Sequence, residues 1–291
     1  MEPTALAARC EAIPYCAALG VRVDAIEPDR VRLRLPFKDE NSNPGSALHG
    51  GVSASLIDIA GALAAWTGIE DRPGLEASTL DLSVNYLAAA IGEEVVASAE
   101  VLRRGREIAY SQVDVRSAAG KRIAVGMVTY RAFDRAANPA AAERQRSATE
   151  SGGGAGEKIR GADVFVRAPF IGRLGMTVEA AHDGESVLAM PLRAELADGS
   201  GAMHEGALAA LIDTTGALAS WSLTGLDMRF KASTVGIHVN YHAAARDTDV
   251  IAHARTLRRN NEIFLNQIAV SGRAGGDVVA AGTVTYRIVV D

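Results

Sequence analysis

The residues best placed to do chemistry are His49-Gly50-Gly51, followed by Asp58, and their second appearance as His204-Glu205-Gly206, followed by Asp213. Between Gly50 and Ile69, Asp58 is the only ionisable residue; the others are small or apolar. A carboxylate in apolar surroundings is expected to have a raised pKa, which makes it a useful base near neutral pH. A glycine at a helix start presents unpaired N–H groups and the positive end of the helix dipole. It also lets a ligand approach without a Cβ in the way. That arrangement suits a carbonyl oxygen that gains charge as water attacks. The residues leave open whether Asp58 activates the water or attacks directly to form an anhydride.

The element that must hold these groups is a helix of roughly twenty residues, apolar on all sides. Its length would permit a membrane span, but its Ala and Gly residues are weakly hydrophobic and a central Asp is expensive in lipid. A helix wrapped by a curved sheet fits better. His49–Trp66 and His204–Trp221 share eleven of eighteen residues without a gap. The repetition extends further at an offset of 155: Pro14 with Pro169, Thr79 with Thr234, Asn85-Tyr86 with Asn240-Tyr241, Leu102-Arg103-Arg104 with Leu257-Arg258-Arg259. The chain is therefore one unit used twice. Each unit predicts a short opening helix (Thr4–Leu19; Arg167–Arg173), two strands, the polar loop Asp39–Ser46, the central helix and a meander of strands. In the first unit these strands are Val21–Ile26, Val31–Pro36, Thr79–Tyr86, Glu93–Arg103, Ile108–Ser117 and Arg122–Ala132. This is an α+β class with an antiparallel sheet. The expected domains are 1–133 and 164–291, joined by a flexible linker at 134–163 that is rich in Ala, charge and then Gly.

With 291 residues and 48% hydrophobic content there is material for two cores. A net charge of -5 supplies no basic field for nucleic acid. Arg9 and Glu11 interrupt any signal-peptide core at the N-terminus. Cys10 and Cys16 read as free thiols, with no counterpart in the second unit. The expectation is a cytoplasmic protein with no membrane partner. The six histidines and two cysteines lack metal-ligand spacing, so no metal is expected. Trp66 and Trp221 read as core packing.

The combination Asn43…Leu48-His49-Gly50-Gly51…Leu56-Ile57-Asp58, then Ser78-Thr79…Val84-Asn85-Tyr86, then Val101-Leu102-Arg103-Arg104-Gly105-Arg106, resembles the hotdog-fold acyl-CoA thioesterases of the phenylacetate-pathway-like branch. The resemblance covers both repeats and implies a tandem double hotdog packed as a pseudo-dimer. It implies hydrolysis of an acyl-CoA thioester, with coenzyme A entering only as part of the substrate and no separate cofactor. A thiolate leaves readily (thiol pKa about 8.5), so no strong general acid is required. The resemblance gives Asn43 and the Gly50 N–H to the thioester carbonyl, His49 to the loop, and Thr79 to the attacking water. Gly51 and Gly206 would line the substrate. It also implies sites shared between units: Asn43, His49 and Gly50 with Asp213 and Thr234; Asp198, His204 and Glu205 with Asp58 and Thr79. Arg103, Arg104, Arg106, Arg258 and Arg259 are candidates for coenzyme A phosphates, or else ordinary solvated turns. Homo-oligomers, as dimers or trimers of the chain, are implied too.

Three departures bear on this reading. The second repeat has Asp198 in place of Asn43 and Glu205 in place of Gly50. An ionised Asp cannot donate a hydrogen bond, and a second carboxylate repels developing negative charge; the Glu205 side chain is compatible with function if it points outward. The site using Asn43 and Asp213 is therefore expected to be the more active one. The third departure is Leu87-Ala88-Ala89-Ala90, where the family commonly has a basic residue. Two other readings compete. A hotdog hydratase or dehydratase would need an Asn-Pro-His loop, but four residues separate Pro44 from His49. A non-catalytic acyl-CoA-binding module would lack the helical carboxylate.

Overall fold

The computed structural model describes residues 2–134, 156–227, 229–274 and 276–290. In chain order the first unit holds α1 (Pro3–Ala12), α2 (Pro14–Leu19), β1 (Arg22–Glu27), β2 (Arg30–Leu35), α3 (Gly50–Trp66), β3 (Leu75–Tyr86), β4 (Val95–Arg104), β5 (Ile108–Ser117) and β6 (Arg122–Asp134). The second holds α4 (Ala162–Phe165), α5 (Pro169–Leu174), β7 (Thr177–His182), β8 (Glu185–Met190), α6 (Glu205–Thr224), β9 (Lys231–Tyr241), β10 (Val250–Asn260), β11 (Ile263–Gly272) and β12 (Val278–Val289). The opening helix expected over Thr4–Leu19 is broken at Ile13, because Pro14 cannot continue the α1 ladder and instead starts α2.

The strands form one antiparallel sheet in the order β1-β2-β4-β5-β6-β3-β9-β12-β11-β10-β8-β7. Each half of the sheet curls round its own helix, and the halves join where β3 pairs β9 from Asp81↔Asn240 to Asn85↔Gly236. Across this seam, Asp81 Oδ2 lies 2.5 Å from His238 Nε2 and accepts from Asn240 Nδ2 at 3.0 Å. The expected tandem pair of sheet-wrapped helices is therefore present. Most of the expected linker, 135–155, lies outside the described residues. Its last part does not stand apart from the second unit: Gly156, Glu157 and Ile159 exchange backbone hydrogen bonds with β7.

The helices α3 and α6 run antiparallel, the first turn of each against the second turn of the other. A Cβ on Gly51 would come 2.6 Å from Ala210 Cβ, and one on Gly206 would come 2.8 Å from Ser55 Cβ. Small residues therefore set the approach of the two helices. Each unit also covers the other's loop. Tyr15 N donates to Ala197 O at 3.2 Å, and Phe170 N donates to Ser42 O at 3.3 Å. No helix among the described residues is long and apolar enough to cross a membrane.

Gly51 gives a direct test of the helix contact. Glycine to alanine in a helix ordinarily gains about 1 kcal/mol, whereas overpacking costs about 1–3 kcal/mol. An added methyl here meets Ala210 Cα, a backbone atom, at 2.8 Å, so the second effect should win. Gly51→Ala is expected to lower the midpoint of denaturant unfolding; an unchanged or raised midpoint would refute the tight contact.

Candidate active site

Two constellations form where each helix start meets the other helix's carboxylate. At the first, His49 is the N-cap of α3, and its Nδ1 accepts from Gly51 N at 2.9 Å. Histidine is an unusual cap; here the ring is buried and packs 4.8 Å, centroid to centroid, from Phe170 of the other unit. Burial pushes its pKa down to about 4, so the imidazole is neutral and carries its proton on Nε2. Asp213 faces this turn from α6, with Oδ2 3.9 Å from His49 Nδ1. A Cβ on Gly50 would lie only 2.8 Å from the same oxygen. The other carboxylate oxygen, Oδ1, accepts from Thr234 Oγ1 at 2.6 Å.

Asp213 is 3% exposed. Burial raises its pKa to about 6, against the opposing pull of Thr234 and the Gly51 N–H. Thr234 reaches the helix because β9 carries a bulge against β12 just beyond it, between the pairs Tyr286↔Thr234 and Thr285↔Gly236. The same irregularity follows Thr79 in β3, between Thr79 and Asp81. A bulge re-aims the neighbouring side chain, and each threonine donates its hydroxyl to the carboxylate of its own unit's helix.

The second constellation has the same scaffold. His204 caps α6, with Nδ1 accepting from Gly206 N at 3.0 Å, and its ring lies 4.9 Å from Tyr15. Burial lowers its pKa to about 4. Asp58, 2% exposed, accepts from Thr79 at 2.7 Å. The outward direction allowed for Glu205 is not adopted. Asp58, His204 and Glu205 each present one ligand-capable atom, all within 4.8 Å of one another. Burial raises the pKa of both carboxyls, and the charge of Asp58 adds to the rise at Glu205, so the pair retains a proton near neutral pH. These three residues are the candidate cation ligands among the described residues. Asp58 lies 146 positions before His204 and 147 before Glu205, in the other repeat, which is why no ligand spacing shows in the sequence. The Gly206 N–H, already on His204 Nδ1, competes with any ion there.

Other candidates are placed as follows. Asn43 is half-buried on the loop before His49; its backbone N–H goes to Ala47 O, and its side-chain amide takes no partner among the described residues. Asp198 ties its own loop, accepting from Ser200 N at 2.7 Å and Ala202 N at 3.0 Å. Gly51 and Gly206 serve helix contact and cap, not a substrate-lining surface. Arg104 is corrected from phosphate contact to helix C-terminal anchor: it donates to Ala65 O at 2.9 Å and to Asp29 Oδ1 at 2.5 Å. That places its hairpin about 10 Å along α3 from Asp58, at 1.5 Å per residue. Arg259 lies over the Phe264 ring and donates to Asn261 O; Arg103, Arg106 and Arg258 are exposed.

Two pairs of groups escaped the sequence reading. Tyr86 Oη donates to Gly50 O and Tyr241 Oη to Glu205 O, each at 3.0 Å, fixing the first residue of each helix. Their signal was the repeated Asn-Tyr at the strand end. The second pair, Tyr15 and Ser55, has no repeat signal because Phe170 and Ala210 stand opposite. Tyr15 Oη is 2.9 Å from Ser55 Oγ, which lies 2.9 Å from Gly206 O and 2.7 Å from Gly51 O.

The sequence profile of the thioesterase superfamily matches residues 45–124 and 200–284, one segment on each helix and its following strands. The chain belongs to the thioesterase superfamily. Human acyl-coenzyme A thioesterase 13 is 33% identical over 104 residues, 35% of this chain and 72% of its own. The medium/long-chain acyl-CoA thioesterase YigI of Escherichia coli is 32% identical over 133 residues, 40% of this chain and 84% of its own. In fold, a hot-dog protein from Alicyclobacillus acidocaldarius superposes with a TM-score of 0.62 at 17% identity, over 92% of this chain and 96% of its own. This thioesterase-superfamily chain is thus a double hotdog and a thioester hydrolase.

Holding Asp213 ionised in the interior has a measurable cost. Its folded pKa, about 6, exceeds the ordinary 3.8, so the folded state binds the proton more tightly. The stability linked to that proton is complete below about pH 4 and is lost as pH rises through 6, on the order of 3 kcal/mol. Asp213→Asn is expected to melt higher than wild type at pH 7.5, with the gap closing by pH 4. A constant gap across that range would contradict the raised pKa.

Proposed function

We propose that this chain hydrolyses acyl-CoA thioesters at the constellation of Gly50, His49, Asp213 and Thr234. The observation that carries the proposal is the close facing of Asp213 Oδ2 and the Gly50 backbone, where a Cβ on residue 50 would lie 2.8 Å from that oxygen. The Gly50 N–H is the first of the helix and takes no partner among the described residues. It supplies the oxyanion contact, joined by the Asn43 amide. His49 is a positioning residue: neutral and committed to the Gly51 N–H, it fixes the turn and is not the base. Tyr86 fixes the same turn through Gly50 O.

Asp213 is the general base. With one oxygen held by Thr234, the other takes a proton from water as the water oxygen attacks the thioester carbon. The tetrahedral oxyanion is held at Gly50, and its collapse breaks the C–S bond and expels the coenzyme A thiolate. A general base of this kind contributes about 10² to 10⁴ in rate. The acyl-CoA names of the relatives support coenzyme A as the carrier. Exposed Arg103, Arg106 and Arg258 remain the candidates for its phosphates.

Thiol release from a panel of short, long and aryl acyl-CoAs tests the assignment. Asp213→Asn should lose at least a hundredfold in kcat, while Asp58→Asn stays within about threefold of wild type. For wild type, kcat/KM should rise with pH through about 6 and then level, because protonated Asp213 cannot accept the water's proton. Loss of turnover in Asp58→Asn with retention in Asp213→Asn would reverse the site assignment.

A further inference from the structure

The two constellations differ most at one position. At Gly50 no side chain stands between the helix start and Asp213, whose Oδ2 would lie 2.8 Å from a Cβ there. At Glu205 a side chain fills the equivalent place and turns inward, bringing a carboxylate oxygen within 4.8 Å of both an Asp58 oxygen and a His204 nitrogen. The surroundings are correspondingly closed: Thr79 is 2% exposed, whereas Thr234 is half-buried. The rest of the machinery is retained. Asp58 accepts from Thr79, His204 caps the helix, Tyr241 holds the first-turn carbonyl, and the Glu205 N–H occupies the place of the Gly50 N–H.

We propose that the second constellation is a complete thioester-binding site closed by its own Glu205, whose carboxyl fills the space that a thioester carbonyl enters at Gly50. The proposal rests on the reading of the Gly50–Asp213 site given above. A carboxyl is planar and carries an oxygen where a thioester does, so it fits a place shaped for that group. Tethered to the helix start, it competes as an intramolecular ligand against a dissolved one. A negative side chain in a helix first turn is also favoured by the dipole. Even a substrate that displaced it would meet a second carboxyl beside Asp58, and charge on either one opposes a developing oxyanion. The chain therefore carries one open thioester site and one plugged copy.

The experiment is calorimetric titration of the full chain with a non-hydrolysable acyl-CoA thioether, followed by turnover. Wild type should bind one equivalent per chain, and Glu205→Gly two. Glu205→Ala, which shortens the side chain without adding backbone freedom, should also bind two; Glu205→Gln, which keeps the bulk, should bind one. In an Asp213→Asn background, adding Glu205→Gly should raise turnover at least tenfold, and adding Asp58→Asn should remove the gain. Two equivalents in wild type, or one equivalent in both folded Glu205→Gly and Glu205→Ala, would overturn the plug while leaving the Gly50–Asp213 site standing. Two equivalents in Glu205→Gln would overturn it as well, since bulk would not be what closes the site. A wild type that neither binds nor hydrolyses any acyl-CoA would remove both readings together.

Discussion

The contact on which the rest of the molecule depends is the antiparallel meeting of α3 and α6 through residues with little or no side chain. Gly51 against Ala210, and Gly206 against Ser55, bring the two backbones close enough for each helix start to face the other helix's carboxylate. Neither unit alone can supply such a site, because its own Asp lies about two turns beyond its own helix start. The continuous sheet across β3 and β9 then fixes the two helices in one register. The exchanged short helices finish the enclosure, placing Phe170 on His49 and Tyr15 on His204.

Joining two such units in one chain removes the requirement that both sites be the same. In a symmetric pair of identical chains, any substitution appears at both sites at once. Here the substitutions fall unequally: Gly50 against Glu205, Asn43 against Asp198, Phe170 against Tyr15, Ala210 against Ser55. Glu205, Asp198, Tyr15 and Ser55 all fall on the Asp58 side. Tyr15 and Ser55 there tie the two helix starts together through Gly206 O and Gly51 O. That side is built as a hydrogen-bonded joint, while on the Asp213 side residue 50 brings no side chain toward the carboxylate.

Much of this was legible from the sequence because repetition amplifies weak signals. One buried Asp means little; two at the same distance from a His turn, each followed by a strand ending Asn-Tyr, mark a helix and its sheet. The cross-pairing of Gly50 with Asp213 followed from the family resemblance and not from spacing. Side-chain direction was not legible: Glu205 could face either way, and in the structure it turns in toward Asp58 and His204. Arg104 misled for a related reason. A run of arginines in a hairpin looks free, yet one of them lies over the last turn of α3, where its carbonyls lack partners. The bulges after Thr79 and Thr234 have no mark in the local pattern, since the extra residues Leu80 and Val235 look like ordinary strand residues.

The hydrogen bonds round Asp213 set how far burial can act on it. Burial alone drives a carboxyl toward its neutral form, and a neutral acid cannot take a proton from water. Thr234 and the Gly51 N–H pull the other way and leave the group at about 6. At neutral pH most of it is ionised, yet it is about a hundredfold more basic than a solvated aspartate near 3.9. Asp58 has a comparable threonine but shares its surroundings with Glu205. The same burial that tunes Asp213 therefore leaves a proton on the Asp58–Glu205 pair. What distinguishes the two carboxylates is thus not the helix that carries each, duplicated faithfully, but the residue that faces it: a glycine for Asp213 and a second carboxyl for Asp58.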